Sequence, residues 1–239
     1  MKSLDVDIPV AQGVLRGTLE RAGDGSALVI FAHGSGSGRL SPRNRALAAS
    51  IRAAGIGTLL FDLLTDDEEA TDRQTAELRF DVTLLARRLE AVTEWAIARH
   101  ASAHGLSVGY LGSSTGAAAA LVAASRLGER VDAVVSRGGR PDLAGALLHH
   151  VVSPTLFVVG QRDIEVLALN EAALGRLGGQ RDIAVVPRAG PLFEEPGALD
   201  EVARLATTWF QEHLAHAGTA AGAVRRRSIR GDRDLAPPS

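Results

Sequence analysis

The segment Gly112-Ser113-Ser114-Thr115-Gly116 has the residue types of a strained serine turn. A continuous apolar stretch, Val108–Leu111, precedes it, and an alanine-rich helical stretch, Gly116–Leu127, follows. In such a turn the serine stands at the C-terminal edge of a sheet and at the N-terminus of a helix. The flanking glycines give the chain room to reverse. Ser114 would attack a carbonyl carbon, and the Thr115 amide and the helix dipole would face the developing oxyanion. The competing reading is a Gly/Ser turn with no chemistry. Ser113 is out of register for the motif.

Three further groups could serve the same chemistry. The loop His33-Gly34-Ser35-Gly36 follows the apolar run Ala27–Ala32. Its Gly34 and Ser35 amides could complete an oxyanion hole, or the loop could bind an anion ahead of a helix. Gly160-Gln161-Arg162-Asp163 follows another buried run, so Asp163 sits where a triad acid belongs. Asp163 would equally suit a helix N-terminus. Arg137 and Arg140 flank Gly138-Gly139 and could clamp a carboxylate or phosphate, the alternative being surface ion pairing with Asp142. The loop group is completed by His33, placed here with the substrate-binding residues.

These residues need a scaffold, and the pattern supplies one. Leu4–Ile8 and Val14–Leu19 alternate apolar and polar residues and predict an antiparallel hairpin at a sheet edge. Strands are predicted at Ala27–Ala32, Thr58–Phe61, Val108–Leu111, Ala133–Val135, Thr155–Val159 and Ile183–Val186. Ser41 caps a helix with Pro42 at its first position, ending at Ala54 before Gly55. Val82, Leu85, Leu89, Val92 and Ala96 form one helical stripe. Further helices are predicted over Val166–Leu177 and Ala198–Ala215. Alternating strands and helices imply an α/β fold with a mostly parallel sheet covered on both faces.

Composition narrows the chemistry. The 239 residues suit one α/β domain. Residues 1–216 form the expected domain, and 217–239, small and Arg-rich, form an expected disordered tail. With no cysteine, thiolate catalysis, disulfides and Cys-ligated zinc are excluded. Lys2 is the only lysine, which excludes a P-loop lysine. Asp66, Asp67, Glu68 and Glu69 could bind a divalent cation, but a solvated acidic loop is the favoured reading. Glu194 and Glu195 are expected to cap the last helix. The net charge of −2 gives no pull toward nucleic acid, and Arg225–Arg227 reads as a solvated tail. Met1–Pro9 is not a signal peptide, and no apolar window is long enough to span a bilayer. The expectation is a cytoplasmic protein with a small-molecule substrate or ligand, no metal, no cofactor, no nucleic-acid or membrane partner, and homodimerisation left open.

Jointly, His33-Gly-Ser-Gly-Ser, Ser41-Pro-Arg-Asn44, Leu63-Leu-Thr65, the Ser114 turn, Ser136-Arg-Gly-Gly-Arg-Pro-Asp142, Gly160-Gln-Arg-Asp163 and Leu192-Phe-Glu-Glu-Pro-Gly197 carry a resemblance. Across roughly residues 10–212 the chain resembles a bacterial, serine-nucleophile branch of the dienelactone-hydrolase-like α/β-hydrolases. Members of this branch also occur fused behind a phosphoribosyltransferase domain. The resemblance implies the α/β-hydrolase fold and acyl transfer at Ser114, with Asp163 orienting a histidine. It also places that histidine directly before Leu192, where this chain has Pro191. A second family histidine, before Ser41, is Leu40 here. Neither side chain can carry a proton.

The other histidines do not fill the gap. His100, His104, His149 and His150 precede strands, on the far side of the sheet. His213 lies roughly 20 Å or more along the last helix, and His216 further. Only His33 is at the correct edge, and in the family it shapes the loop. A triad without its base retains on the order of 10³–10⁴ over water. Two readings follow: a weak or altered serine hydrolase of small esters or lactones, or a hydrolase-fold protein that binds a ligand without turnover.

Overall fold

The alternating N-terminal residues form two antiparallel strands, β1 (Ser3–Val10) and β2 (Gly13–Glu20), in register from Ser3 opposite Glu20 to Val10 opposite Gly13. Ile8 and Leu15, paired across the hairpin, are fully buried. This computed structural model describes residues 3–100 and 105–214. The predicted tail, His104 and His216 lie outside the described residues.

Six strands follow: β3 (Ala27–Ala32), β4 (Gly57–Phe61), β5 (Ser107–Ser113), β6 (Ala133–Arg137), β7 (Thr155–Gly160) and β8 (Arg181–Val186). The sheet order is β1-β2-β4-β3-β5-β6-β7-β8. β2 runs antiparallel to β4, and every pair from β4 to β8 is parallel. The hairpin therefore occupies the edge expected of it.

Helices cover both faces, because the central strands are apolar on both. Along β3, Leu28, Ile30 and Ala32 pack on the side of α3 (Val82–Ala98) and α4 (Thr115–Leu127). Ala27, Val29 and Phe31 pack on the opposite side with α1 (Pro42–Ala53) and α6 (Ala198–His213). The predicted stripe of α3 is the buried one: Leu85, Leu89, Val92 and Ala96. α1 begins as its sequence dictates, with Ser41 Oγ accepting the Asn44 amide and Pro42 in the first turn.

Two segments differ from expectation, and a third has no element predicted for it. The acidic run expected as a solvated loop is a helix, α2 (Asp66–Thr75). It has no apolar stripe to announce it. Thr65 and Glu68 form a reciprocal capping box, and four carboxylates in the first turn suit the positive helix end. The segment Pro141–His150 winds as 3₁₀ turns kinked at Gly145, and it carries His149 and His150 at its exposed end. α5 (Ile164–Leu174) starts and stops earlier than the predicted Val166–Leu177, with Gly175 closing it.

Among the described residues, no helix is long and apolar enough to cross a membrane. No cluster of three or more His, Asp or Glu side chains there could hold a metal ion.

Candidate active site

β5 and α4 hold Ser114 in a conformation that few residues tolerate. Its backbone lies at φ 49°, ψ −124°, between buried Ser113 and buried Thr115, while Ser114 itself is exposed. Such geometry costs about 1–3 kcal/mol and persists only where the surroundings enforce it. The glycines show what enforces it. A β-carbon on Gly112 would sit 2.4 Å from Ala117 Cα, and one on Gly116 would sit 2.3 Å from both the Ala32 and the His33 carbonyl oxygens. Helix and sheet touch so closely that only glycine fits.

The His33–Ser35 loop lies directly against this turn. Ser35 Oγ is 3.1 Å from Thr115 Oγ1, and a β-carbon on Gly34 would be 3.2 Å from Ser114 Cβ. Gly34, Ser35 and Thr115 are thus brought together beside Ser114, as the sequence suggested.

His33 fixes the loop rather than facing the cavity of Ser114. Its Nε2 accepts the Leu63 amide at 3.1 Å, and its Nδ1 donates to the Gly34 carbonyl at 3.0 Å. With both nitrogens committed to backbone, the ring has none left for a substrate, which corrects its expected binding role. Burial pushes its pKa below the ordinary histidine value, so it stays neutral.

Ser114, Arg137, Arg43, Pro191 and Leu192 line one cavity of about 530 Å³. The loop carrying Pro191 packs over the end of β6. A β-carbon on Gly138 would be 3.5 Å from the Pro191 carbonyl oxygen. Buried Phe193, at φ 54°, anchors this loop, and Glu195 Oε1 accepts the Gly190 amide at 2.9 Å. Glu194 pairs with Arg43 at 2.7 Å. Neither glutamate caps α6 by its side chain; Gly197 stands at that position, a second correction.

No imidazole lines the Ser114 cavity among the described residues. His213 Nδ1 donates to the carbonyl oxygen of Trp209 in its own helix, 2.8 Å away, and its ring stacks on that of Trp209. His100 borders a different cavity, under the β1–β2 hairpin.

Asp163 stands at the first turn of α5, beside the Pro191 loop. The neighbouring Arg162 amide donates to Ala189 O at 2.9 Å. Partial burial raises its carboxyl pKa above the usual range, and Glu165 adds to this against the Val166 amide. Asp163 is not part of the Ser114 cavity wall.

The two arginines part company. Arg140 forms a bidentate pair with Asp142, at 2.9 and 2.8 Å, and does not line the cavity. Its clamp role is corrected to the surface pairing that was the alternative. Arg137 does line it.

This architecture recurs in a solved dienelactone hydrolase from Anabaena variabilis. The two chains are 50% identical with a TM-score of 0.86, over 90% of this chain and 99% of that one. The chain belongs to the dienelactone hydrolase family of α/β-hydrolases. A serine hydrolase homologue from Coxiella burnetii, 19% identical with a TM-score of 0.70 over 87% of this chain and 97% of its own, shares the fold. Two curated Mycobacterium tuberculosis proteins, from strains CDC 1551 and H37Rv and provisionally named phosphoribosyl transferases, are each 54% identical over 191 residues. That match takes in 80% of this chain but only 42% of each relative, so the chain spans less than half their length. No family model matches the sequence.

For this dienelactone hydrolase relative, sequence reasoning missed one connection. Asn44, from Ser41-Pro-Arg-Asn44, is buried, and its Oδ1 accepts from Arg137 Nη2 at 3.3 Å. The motif around residue 41 and the motif around residue 137 are two halves of one wall. Asn44 shares the buried stripe of α1 with Leu47, Ala48 and Ile51, and a polar residue at an apolar-stripe position was the available signal.

Proposed function

We propose that this chain is a serine hydrolase of small esters or lactones whose turnover is reduced because position 191 holds proline. Ser114 is the attacking group. Its hydroxyl oxygen would bond to the substrate carbonyl carbon, and the amides of Thr115 and of the Gly34–Ser35 loop would receive the oxyanion. Asp163 holds the place of the acid that would orient a base at position 191.

One observation carries this reading: Ser114 is held at φ 49° and exposed to a cavity whose wall includes Gly34 and Ser35. A passive turn has no need of a strained, exposed serine set against a glycine loop. The absence of an imidazole from that wall among the described residues supports a second reading, a hydrolase-fold protein that binds its ligand without turnover.

An active-site-directed fluorophosphonate separates the two. Labelling of the wild type that disappears in Ser114→Ala is the expected result. Equal signal, or none, in both proteins would remove the nucleophile.

A further inference from the structure

A second cavity, of about 190 Å³, lies at the opposite end of the sheet from Ser114. Ala27 and Gly57, which begin β3 and β4, line it, as does Leu106 just before β5. β5 alone, from Ser107 to Ser113, puts roughly 20 Å between that end and the Ser114 turn. The hairpin supplies Leu4, Val6 and Leu19, and the last turns of α3 supply Trp95 and Ala96. The gap exists because the residues at the strand starts are small. A β-carbon on Gly25, which also lines the cavity, would meet nothing within 4 Å.

Apolar walls alone would make this a packing void, dry and without chemistry. Its polar groups argue otherwise. Trp95 Nε1 and His100 Nε2 are buried and have no hydrogen-bond partner. Both side chains line the cavity, together with Arg21 and Arg99. The Arg99 guanidinium carbon is held 4.7 Å from the centre of the Trp95 ring. Among the described residues, neither arginine has an ion-pair or side-chain hydrogen-bond partner, and no Asp or Glu lines the cavity. The helix dipole accounts for a cation just past the end of α3. It does not account for a buried indole N–H and a buried imidazole nitrogen left without partners beside two unpaired guanidinium groups. Indole and guanidinium groups only donate, and an imidazole nitrogen can donate as well. The missing partner is therefore an acceptor, and two cations suit an anionic one.

We propose that this cavity binds a small apolar monocarboxylate. Its tail lies between the hairpin and α3, and its carboxylate meets Arg99, Arg21 and the unpartnered nitrogens of Trp95 and His100. The volume is below the roughly 300 Å³ at which pockets for drug-sized ligands begin, so the tail is a short chain or a single ring. The site is independent of Ser114 and of turnover.

Calorimetric titration of the full chain with hexanoate and, separately, with benzoate at low salt tests this. At least one is expected to bind with Kd below about 1 mM. Acetate, which lacks the tail, and hexanol, which lacks the charge, should each bind at least about tenfold more weakly. Arg99→Gln changes an exposed residue and should weaken the carboxylate about tenfold, and Arg21→Gln about threefold. Ala96→Leu fills the space from within α3 and should abolish binding. Arg204→Gln, exposed on α6, should leave the Kd unchanged.

Failure of both carboxylates to bind overturns the proposal. So does binding that Arg99→Gln and Ala96→Leu leave intact, which would put the ligand elsewhere, the Ser114 cavity included. Equal binding of hexanol and hexanoate would reduce the cavity to an apolar void and overturn it too. Should Ala96→Leu not fold, the exposed Arg99→Gln decides. Fluorophosphonate labelling at Ser114 has no bearing on these outcomes, so this site and the hydrolase reading fail separately.

Discussion

Pro191 and Ser114 line the same cavity, and the Pro191 loop is tied to the turn that carries Asp163 through the Arg162 amide and the Ala189 carbonyl. In the proposed reading Ser114 is the nucleophile and Asp163 the acid, and position 191 holds a side chain that cannot move a proton. Pro191→His is expected to raise hydrolysis of p-nitrophenyl acetate by about tenfold or more. Adding Asp163→Asn should remove most of that gain. An unchanged rate in folded Pro191→His would show that a second part is missing.

The elbow glycines make a separate claim about stability. Gly116→Ala places a methyl group 2.3 Å from two carbonyl oxygens, where neither helix nor strand can yield cheaply. A loss of about 3 kcal/mol or more in urea unfolding is expected. Gly175→Ala is the contrast. It has open space and right-handed backbone at φ −67°, so it should change stability by no more than about 1 kcal/mol, with the gain favoured. Similar losses at both sites would show that the close helix–sheet contact at Gly116 is not what fixes the turn.

Most of the frame was legible because the signals were local. Ala27–Ala32 is a strand with the predicted ends, and the α3 stripe is the buried one, since apolar period alone decides both. The Ser114 turn was legible because its glycine spacing is a local pattern, although only Gly112 is demanded by its own neighbour, Ala117, while Gly116 is demanded by Ala32 and His33. What escaped was non-local or unpatterned. α2 has no apolar period, and its stability lies in caps and charges. The roles of Arg137 and Arg140, three residues apart, depend on Asn44 in one case and Asp142 in the other. His33 could be placed at the correct edge, but its partner Leu63 emerges only when β4 and β3 are adjacent.

The anchoring of α2 gives a third test. Glu68 caps α2 through the Thr65 amide and pairs with Arg88, which is buried on α3. Removing the carboxylate leaves a buried guanidinium with Gln12 as its remaining side-chain partner. Glu68→Ala should therefore cost about 3 kcal/mol or more, since a broken buried pair leaves a charge uncompensated. Changing both residues, Glu68→Ala with Arg88→Met, should recover part of the loss. Chemical denaturation of the single and double variants measures the coupling, and strictly additive losses would show that the pair is not a unit.

His33 links the loop to pH. Burial lowers its pKa in the folded protein below the unfolded value of about 6.5, so the unfolded chain takes up the proton first. The stability tied to neutral His33 is complete above about pH 6.5 and is lost as pH falls from there toward the lowered folded value. Protonation also ends Nε2's acceptance of the Leu63 amide, releasing the loop that lies against Ser114. His33→Gln keeps an acceptor near that amide and does not titrate. Urea unfolding between pH 7 and pH 5 should show a steeper fall for the wild type than for His33→Gln. Parallel curves would mean that His33 titrates alike in both states and that its burial does not govern the loop.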